Sequence, residues 1–194
     1  YAGSDVVVFE ELYYNGKLIA DHKDSSADSQ TVHVSKVGTK AINKELKVNV
    51  LSKTGPQNIV DTVSYTNLIK GKTYTAKAWL MNPDTGDKID GTEVTKEFSA
   101  EEANGTVDMD LSFTQDENEP LSKVVVFEEV YLGDKVVGEH KDINDSNQTL
   151  NTVEIGTKAA AVDSTTNETS GVGTKTIIDT IHYDGLTPGS EYTA

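Results

Sequence analysis

The sequence predicts an antiparallel β-sandwich, and three observations carry the prediction: runs rich in Val, Thr, Tyr and Phe, glycine turn dipeptides between them, and almost no helical periodicity. The elements follow in order. Val6 to Glu11 opens as a strand, Asn15-Gly16 marks a turn, and Leu18, Ala20 and His22 form one row of the next strand. Asp61 to Leu68 is strand-like. Tyr74, Ala76, Ala78 and Leu80 mark another strand, and Thr85-Gly86 and Asp90-Gly91 mark turns. Ser99 to Ala103 reads as a helical turn, because Ser99 can cap it and Glu101 and Glu102 suit its first turn. After Asn104-Gly105 comes the clearest strand, with Val107, Met109, Leu111 and Phe113 on one face. Val124 to Leu132 and Val136 to His140 complete the series, giving an all-β, immunoglobulin-like sandwich.

Composition narrows the function classes. Seventeen basic against 32 acidic residues give a net charge of -15 and a pI of about 4.5, which repels nucleic acid and anionic membrane surfaces. No run approaches the roughly 18 apolar residues of a membrane helix. There is no cysteine, which excludes disulfides, thiolate chemistry and Cys-based zinc sites. The chain opens at Tyr1 with no charged-then-apolar leader, so any export signal is expected to have been removed or to lie elsewhere.

An internal repeat sets the organisation. Val6-Val7-Val8-Phe9-Glu10-Glu11 recurs as Val124-Val125-Val126-Phe127-Glu128-Glu129, a shift of 118 residues without gaps. The same shift maps His22-Lys23-Asp24 to His140-Lys141-Asp142, Gln30 to Gln148, Gly38-Thr39-Lys40-Ala41 to Gly156-Thr157-Lys158-Ala159, Asp61-Thr62 to Asp179-Thr180, and Tyr74 to Tyr192. A unit of that size is one sandwich domain. The expected division is a tail of a preceding repeat at 1-35, a complete domain at 36-153, and the opening strands of a following repeat at 154-194, in a tandem array.

Two polar residues interrupt apolar rows. Glu128 shares a row with Val124, Val126, Val130 and Leu132, and Glu10 repeats this in the earlier copy. If the row faces the core, the carboxyl must be paired or protonated; alternatively the row is solvated. His140 follows Val136 and Gly138, as His22 follows Leu18 and Ala20, and Gln148 or Gln30 follows eight residues later. Asp142, Asn144 and Ser146 have calcium-loop-like spacing but lack the glycine and distal glutamate, so a solvated turn is expected and no metal or other cofactor.

The Val-Val-Phe-Glu motif, the His140 to Thr149 segment and the Asp61 to Leu68 segment together resemble the VaFE-repeat, or ester bond, domains of Gram-positive surface adhesins. The resemblance implies an intramolecular ester between Thr62 and Gln148, with His140 and Glu128 assisting and an acidic residue after the second strand, where Asn82 stands and Asp84 is near. It also implies a structural stalk domain outside the cell, anchored to the cell wall, whose partners are adjacent repeats and whose host ligand is bound by other domains. Glu10, His22, Gln30 and Thr180 would belong to incomplete flanking sites. The strand row does not itself turn Thr62 inward: Thr62 aligns with Val60 and Ser64, opposite Asp61, Val63 and Tyr65.

Three other readings have residues of their own. Thr62, His140 and Asp142 would make a hydrolytic triad, but no glycine-rich elbow accompanies them. Tyr13, Tyr14, Trp79 and Tyr131 would serve as a glycan platform. A Lys–Asn isopeptide through Lys40 would keep the stalk role with a different bond.

Overall fold

In a computed structural model the described residues are 1–162, 168–169 and 171–194, and they form sixteen strands. The first four are β1 (Ser4–Val7), β2 (Glu10–Tyr14), β3 (Lys17–His22) and β4 (Thr31–Val34). β2 and β3 form a hairpin on Asn15-Gly16, where both residues have positive φ (50° and 76°), as a type I′ turn requires. β1 pairs with β4. The next ten are β5 (Lys36–Asn43), β6 (Val50–Leu51), β7 (Gly55–Thr66), β8 (Thr73–Asn82), β9 (Asp87–Lys88), β10 (Val94–Ser99), β11 (Gly105–Gln115), β12 (Lys123–Leu132), β13 (Lys135–His140) and β14 (Thr149–Thr152). A final hairpin pairs β15 (Glu154–Ala161) with β16 (Ile177–Asp184).

β5 to β14 make a sandwich of two sheets. One has the order β10-β8-β12-β14-β6, with β9 beside β8 and β13 beside β12; the other is β11-β7-β5. All pairs are antiparallel except β14 with β6. Alternation buries one row of each long strand: Gln57, Ile59, Asp61, Val63 and Tyr65 from β7, Tyr74, Ala76, Ala78 and Leu80 from β8, Val107, Met109 and Leu111 from β11, and Val124, Val126, Glu128 and Val130 from β12. The row containing Glu128 is therefore a core row.

The edge of β12 positions the site. β8 runs along one side of β12, while the other side is shared by β14, opposite Lys123 to Val125, and β13, opposite Glu128 to Leu132. Gln148 falls in the gap between them, where its carbonyl accepts from the Val126 N–H at 3.1 Å. β5 closes over this gap, since Ala41 N–H donates to the Asn147 carbonyl at 2.9 Å and Ser35 Oγ donates to the Val137 carbonyl. Gly138 permits that approach, because a Cβ there would run into a methyl of Val37. Gly138→Val should force β5 away and cost about 1–3 kcal/mol. Chemical denaturation would measure it, and unchanged stability would mean that β5 does not depend on this approach.

One element differs from expectation. Ser99 to Ala103 is no helical turn: the segment bends so that Ala100 N–H reaches the Lys72 carbonyl at 3.0 Å and the Ala100 carbonyl accepts from Gly71 N–H at 2.8 Å. Tertiary backbone partners and complete burial of Ala100 replace the local helical bonds. No helix among the described residues is long and apolar enough to cross a membrane.

Candidate functional site

The site is a buried constellation at the gap in the β12 edge. Gln148 is completely buried, and its Nε2 donates to both Thr39 Oγ1 and Glu128 Oε1. Thr39 lies on β5 in the inward row with Val37 and Ala41. Glu128 comes from the core row of β12, and Asp61 from that of β7; both are 0% exposed. Two facing sheets thus each contribute one carboxyl to the same buried cluster, Glu128 touching the carboxamide and Asp61 touching Glu128.

The two carboxyls require a proton between them. Neither oxygen of Asp61, nor Oε2 of Glu128, receives an N–H or O–H from any other described group. Their hydrogen bond is with each other, and two carboxylates cannot make it without a proton. Burial is the main cause that pushes both acids upward; the neighbouring Asp61 charge raises Glu128 further, whereas the hydrogen bond holds Asp61 down. Glu128 therefore stays protonated at neutral pH and Asp61 is the more acidic partner. Gln148 Oε1 is also buried without a donor. A half-turn of the carboxamide would set this oxygen against the carboxyl of Glu128.

His140 ends β13 directly opposite Glu128 in the strand register. Its Nε2 is 2.8 Å from Asp145 Oδ2, off the line of a hydrogen bond. Asp145 also accepts Gln148 N–H through its backbone carbonyl, at 3.1 Å. The turn before β14 thereby fixes the glutamine and the histidine together.

Thr62, the threonine that the resemblance implied, lies outside this constellation. It sits between Asp61 and Val63 on the opposite face of β7, and its Oγ1 donates to Asp108 Oδ1 at 2.7 Å on β11. A β7 residue cannot face both sides of the sheet, so Thr62 is turned away from the core that holds Gln148. Asn82 and Asp84 are also elsewhere: Asn82 Oδ1 caps Asp84 N–H at 3.0 Å in the β8–β9 turn, and Asp84 accepts from Ser122 Oγ at 2.7 Å. The acid that adjoins Glu128 is instead Asp61. Its signal in the sequence was a carboxylate in the row of Ile59, Val63 and Tyr65. That of Thr39 was its recurrence as Thr157 and its parity with Val37 and Ala41.

The other readings lose their geometry. Lys40 is exposed and lies opposite Thr62, on the outer face. Asp142 caps Asn144 N–H at 3.0 Å, in a turn away from Thr62. Trp79 packs against Phe127 and beneath Lys88 and Lys141 on the outer sheet face, and Tyr131 donates to Glu129 beneath Lys77. Among the described residues no His, Cys, Asp and Glu group could hold a metal ion.

The flanks repeat parts of the site. Glu10 pairs with His22 as Glu128 does with His140, and Gln30 Nε2 donates to Glu10 Oε2 at 2.5 Å. Ala27 stands where the later copy has Asp145. In the following hairpin Thr180 is the counterpart of Thr62, and Thr157 is that of Thr39. Asp145→Ala should slow any reaction that uses His140, because it removes the carboxylate 2.8 Å from the ring. An unchanged rate of ammonia loss, followed by intact mass over time, would make Asp145 a purely structural turn residue.

A tandem β-sandwich with a buried threonine–glutamine contact beside a proton-sharing acid pair is the class that fold and site define. The family model of the T-Q ester bond containing domain matches residues 1–34, 35–152 and 153–194, and the chain belongs to that family. Among solved structures, two crystal forms of a bacterial adhesin from Mobiluncus mulieris, described as containing intramolecular disulfide, isopeptide and ester bond cross-links, share the fold. One aligns with a TM-score of 0.50 at 20% identity, over 64% of this chain and 59% of the adhesin. The other gives 0.51 at 15% identity, over 78% and 74%. The chain thus spans less than two thirds of the first. No curated protein matches it in sequence.

Proposed function

We propose that Thr39 and Gln148 join as an intramolecular ester that locks residues 35–152 into a load-bearing stalk domain on a bacterial cell surface. The observation that carries this reading is the direct contact of Thr39 Oγ1 with the Gln148 carboxamide in a dry core beside Glu128 and Asp61. Thr39 Oγ attacks Gln148 Cδ, the C–N bond breaks, and the hydroxyl proton leaves with the nitrogen as ammonia, so no oxidant or cofactor is needed. A carboxamide is a poor electrophile and an alcohol a poor nucleophile, so positioning and charge stabilisation must both be supplied. Folding holds the two atoms together. Once the carboxamide oxygen turns toward it, Glu128 swings its one O–H from Asp61 to that oxygen and polarises it, while the neighbouring Asp61 charge keeps the proton on Glu128. His140, held by Asp145, is the base that carries the hydroxyl proton to the departing nitrogen. Burial then shields the ester from water.

The reaction occurs once per domain and consumes its own side chain, so the domain is a self-modifying structural element and not a turnover enzyme. The linked residues are 109 apart, which corresponds to about 4–5 kcal/mol of stabilisation if the ester restricts the unfolded chain as a disulfide does. Tension along the chain passes through the bond instead of unzipping β12 from β14. The acidic, cysteine-free composition suits a solvated surface rod, with anchoring and host binding carried by other parts of the protein. The test is intact mass under denaturing conditions: the chain should be one ammonia lighter than its sequence, and hydroxylamine should open the link. A full sequence mass from folded protein would refute the proposal.

A further inference from the structure

The contact between the central sandwich and the hairpin that follows it has the features of a built joint. The connection itself is one residue: β14 ends at Thr152 and β15 begins at Glu154, just as β4 ends at Val34 and β5 begins at Lys36. Beyond β16, the segment Gly185 to Tyr192 holds its own shape. Thr187 N–H donates to Tyr192 Oη at 3.0 Å, and at the equivalent place in the central repeat Ile69 N–H donates to Tyr74 Oη at 2.8 Å. The residues that open the two loops, Gly185 and Asn67, both have positive φ (79° and 64°). The loop is thus a recurrent feature of the repeat, formed twice from different sequences.

That loop is seated on the end of the sandwich. Thr187 Oγ1 donates to Asn49 Oδ1 at 2.5 Å, while Asn49 Nδ2 donates to the Thr149 carbonyl at 3.2 Å and its carbonyl accepts from Asn151 N–H at 3.1 Å. Leu186 and Tyr192 line a cleft of about 440 Å³ with Val50, Leu51 and Val153. Gly185 lies so close to the Thr152 carbonyl that a Cβ there would be 2.7 Å from the oxygen, so the glycine is needed for the approach as well as for its φ. One asparagine therefore fastens the neighbouring repeat to the strand that follows Gln148.

We propose that this is the joint between successive repeats: the Gly185–Tyr192 loop of each repeat docks on the 46–53 end of the repeat before it. The partner is the adjacent copy in the same chain. A head-to-tail contact that recurs with one rotation per unit builds an extended array, and a one-residue connection with a docked loop leaves it little room to bend. At the opposite end of the central sandwich, Asn67 Nδ2 donates to Asp5 Oδ1 at 2.7 Å, and Ile69, the counterpart of Thr187, is 42% exposed. The same loop position is thus presented toward the preceding repeat.

The joint is tested on this chain by backbone ¹⁵N relaxation, with the ester read separately by mass. In the wild type, amides 185–192 should share the rotational correlation time of residues 36–152, with order parameters near about 0.85. Leu186→Asp and Thr187→Ala lie on the docking loop, outside the sandwich. The first should lower those values below about 0.6 and the second should lower them less, both with the ammonia-loss mass unchanged. A wild-type loop that tumbles faster than the sandwich, or a loop indifferent to Leu186→Asp, overturns the proposal whether or not the ester forms.

Discussion

Thr39→Ala should restore the full sequence mass and remove about 4–5 kcal/mol of stability, because it deletes the nucleophile and with it the closure of a 109-residue loop. Thr62→Ala is the decisive companion. It removes one exposed hydrogen bond to Asp108, so the mass should remain one ammonia light and stability should change by about 1 kcal/mol or less. The pair of variants separates two threonines that both recur in the following copy of the repeat, as Thr157 and Thr180. Guanidinium denaturation and intact mass on the same samples measure both effects. The reverse outcome, with Thr62→Ala alone restoring the mass, would place the reacting face of β7 on the wrong side of the sheet.

Glu128→Ala should slow crosslinking by roughly 10²- to 10³-fold, the usual consequence of losing a donor aimed at a developing oxyanion. It also leaves Asp61 buried without the proton it shares, so the variant should be less stable even before crosslinking is considered. Glu128→Gln retains a donor and should recover part of the rate. The acid pair makes a further statement about pH. Burial raises both acids, so the folded state binds a proton that the unfolded chain releases in the ordinary carboxylate range. That contribution is complete at acid pH and is lost as pH rises through the elevated values. In the uncrosslinked Thr39→Ala background, stability should therefore fall from pH 5 to pH 8, and adding Glu128→Gln should flatten the fall. Parallel profiles for the two would show that Glu128 does not carry the shared proton.

How much of this was legible in the sequence depends on whether a feature is periodic or assembled. Alternation in Val124 to Leu132 and Tyr74 to Leu80 was enough to predict strands and to sort their residues into two rows, since side-chain direction is a local consequence of the pleat, but it left open whether the Glu128 row is buried or solvated. The 118-residue shift likewise exposed the repeat without any structure, because copied sequence is visible as sequence. Gln148, His140 and Glu128 stood out as polar residues recurring in apolar company. The Ser99 to Ala103 turn misled, because capping signals are local while its hydrogen bonds go to Gly71 and Lys72.

By itself, then, the sequence determined the all-β class, the tandem organisation and the glutamine half of the site. Only the tertiary structure decided which threonine meets it. Parity already set Thr62 against the core and Asp61 toward it, but parity says nothing about which strand of the opposite sheet closes over Gln148. That partner is fixed by β5 crossing the gap between β13 and β14, an approach that depends on Gly138 and on a backbone bond from Ala41 to Asn147. Contacts between residues 109 apart come from how two sheets pack, and no pattern within either strand encodes them.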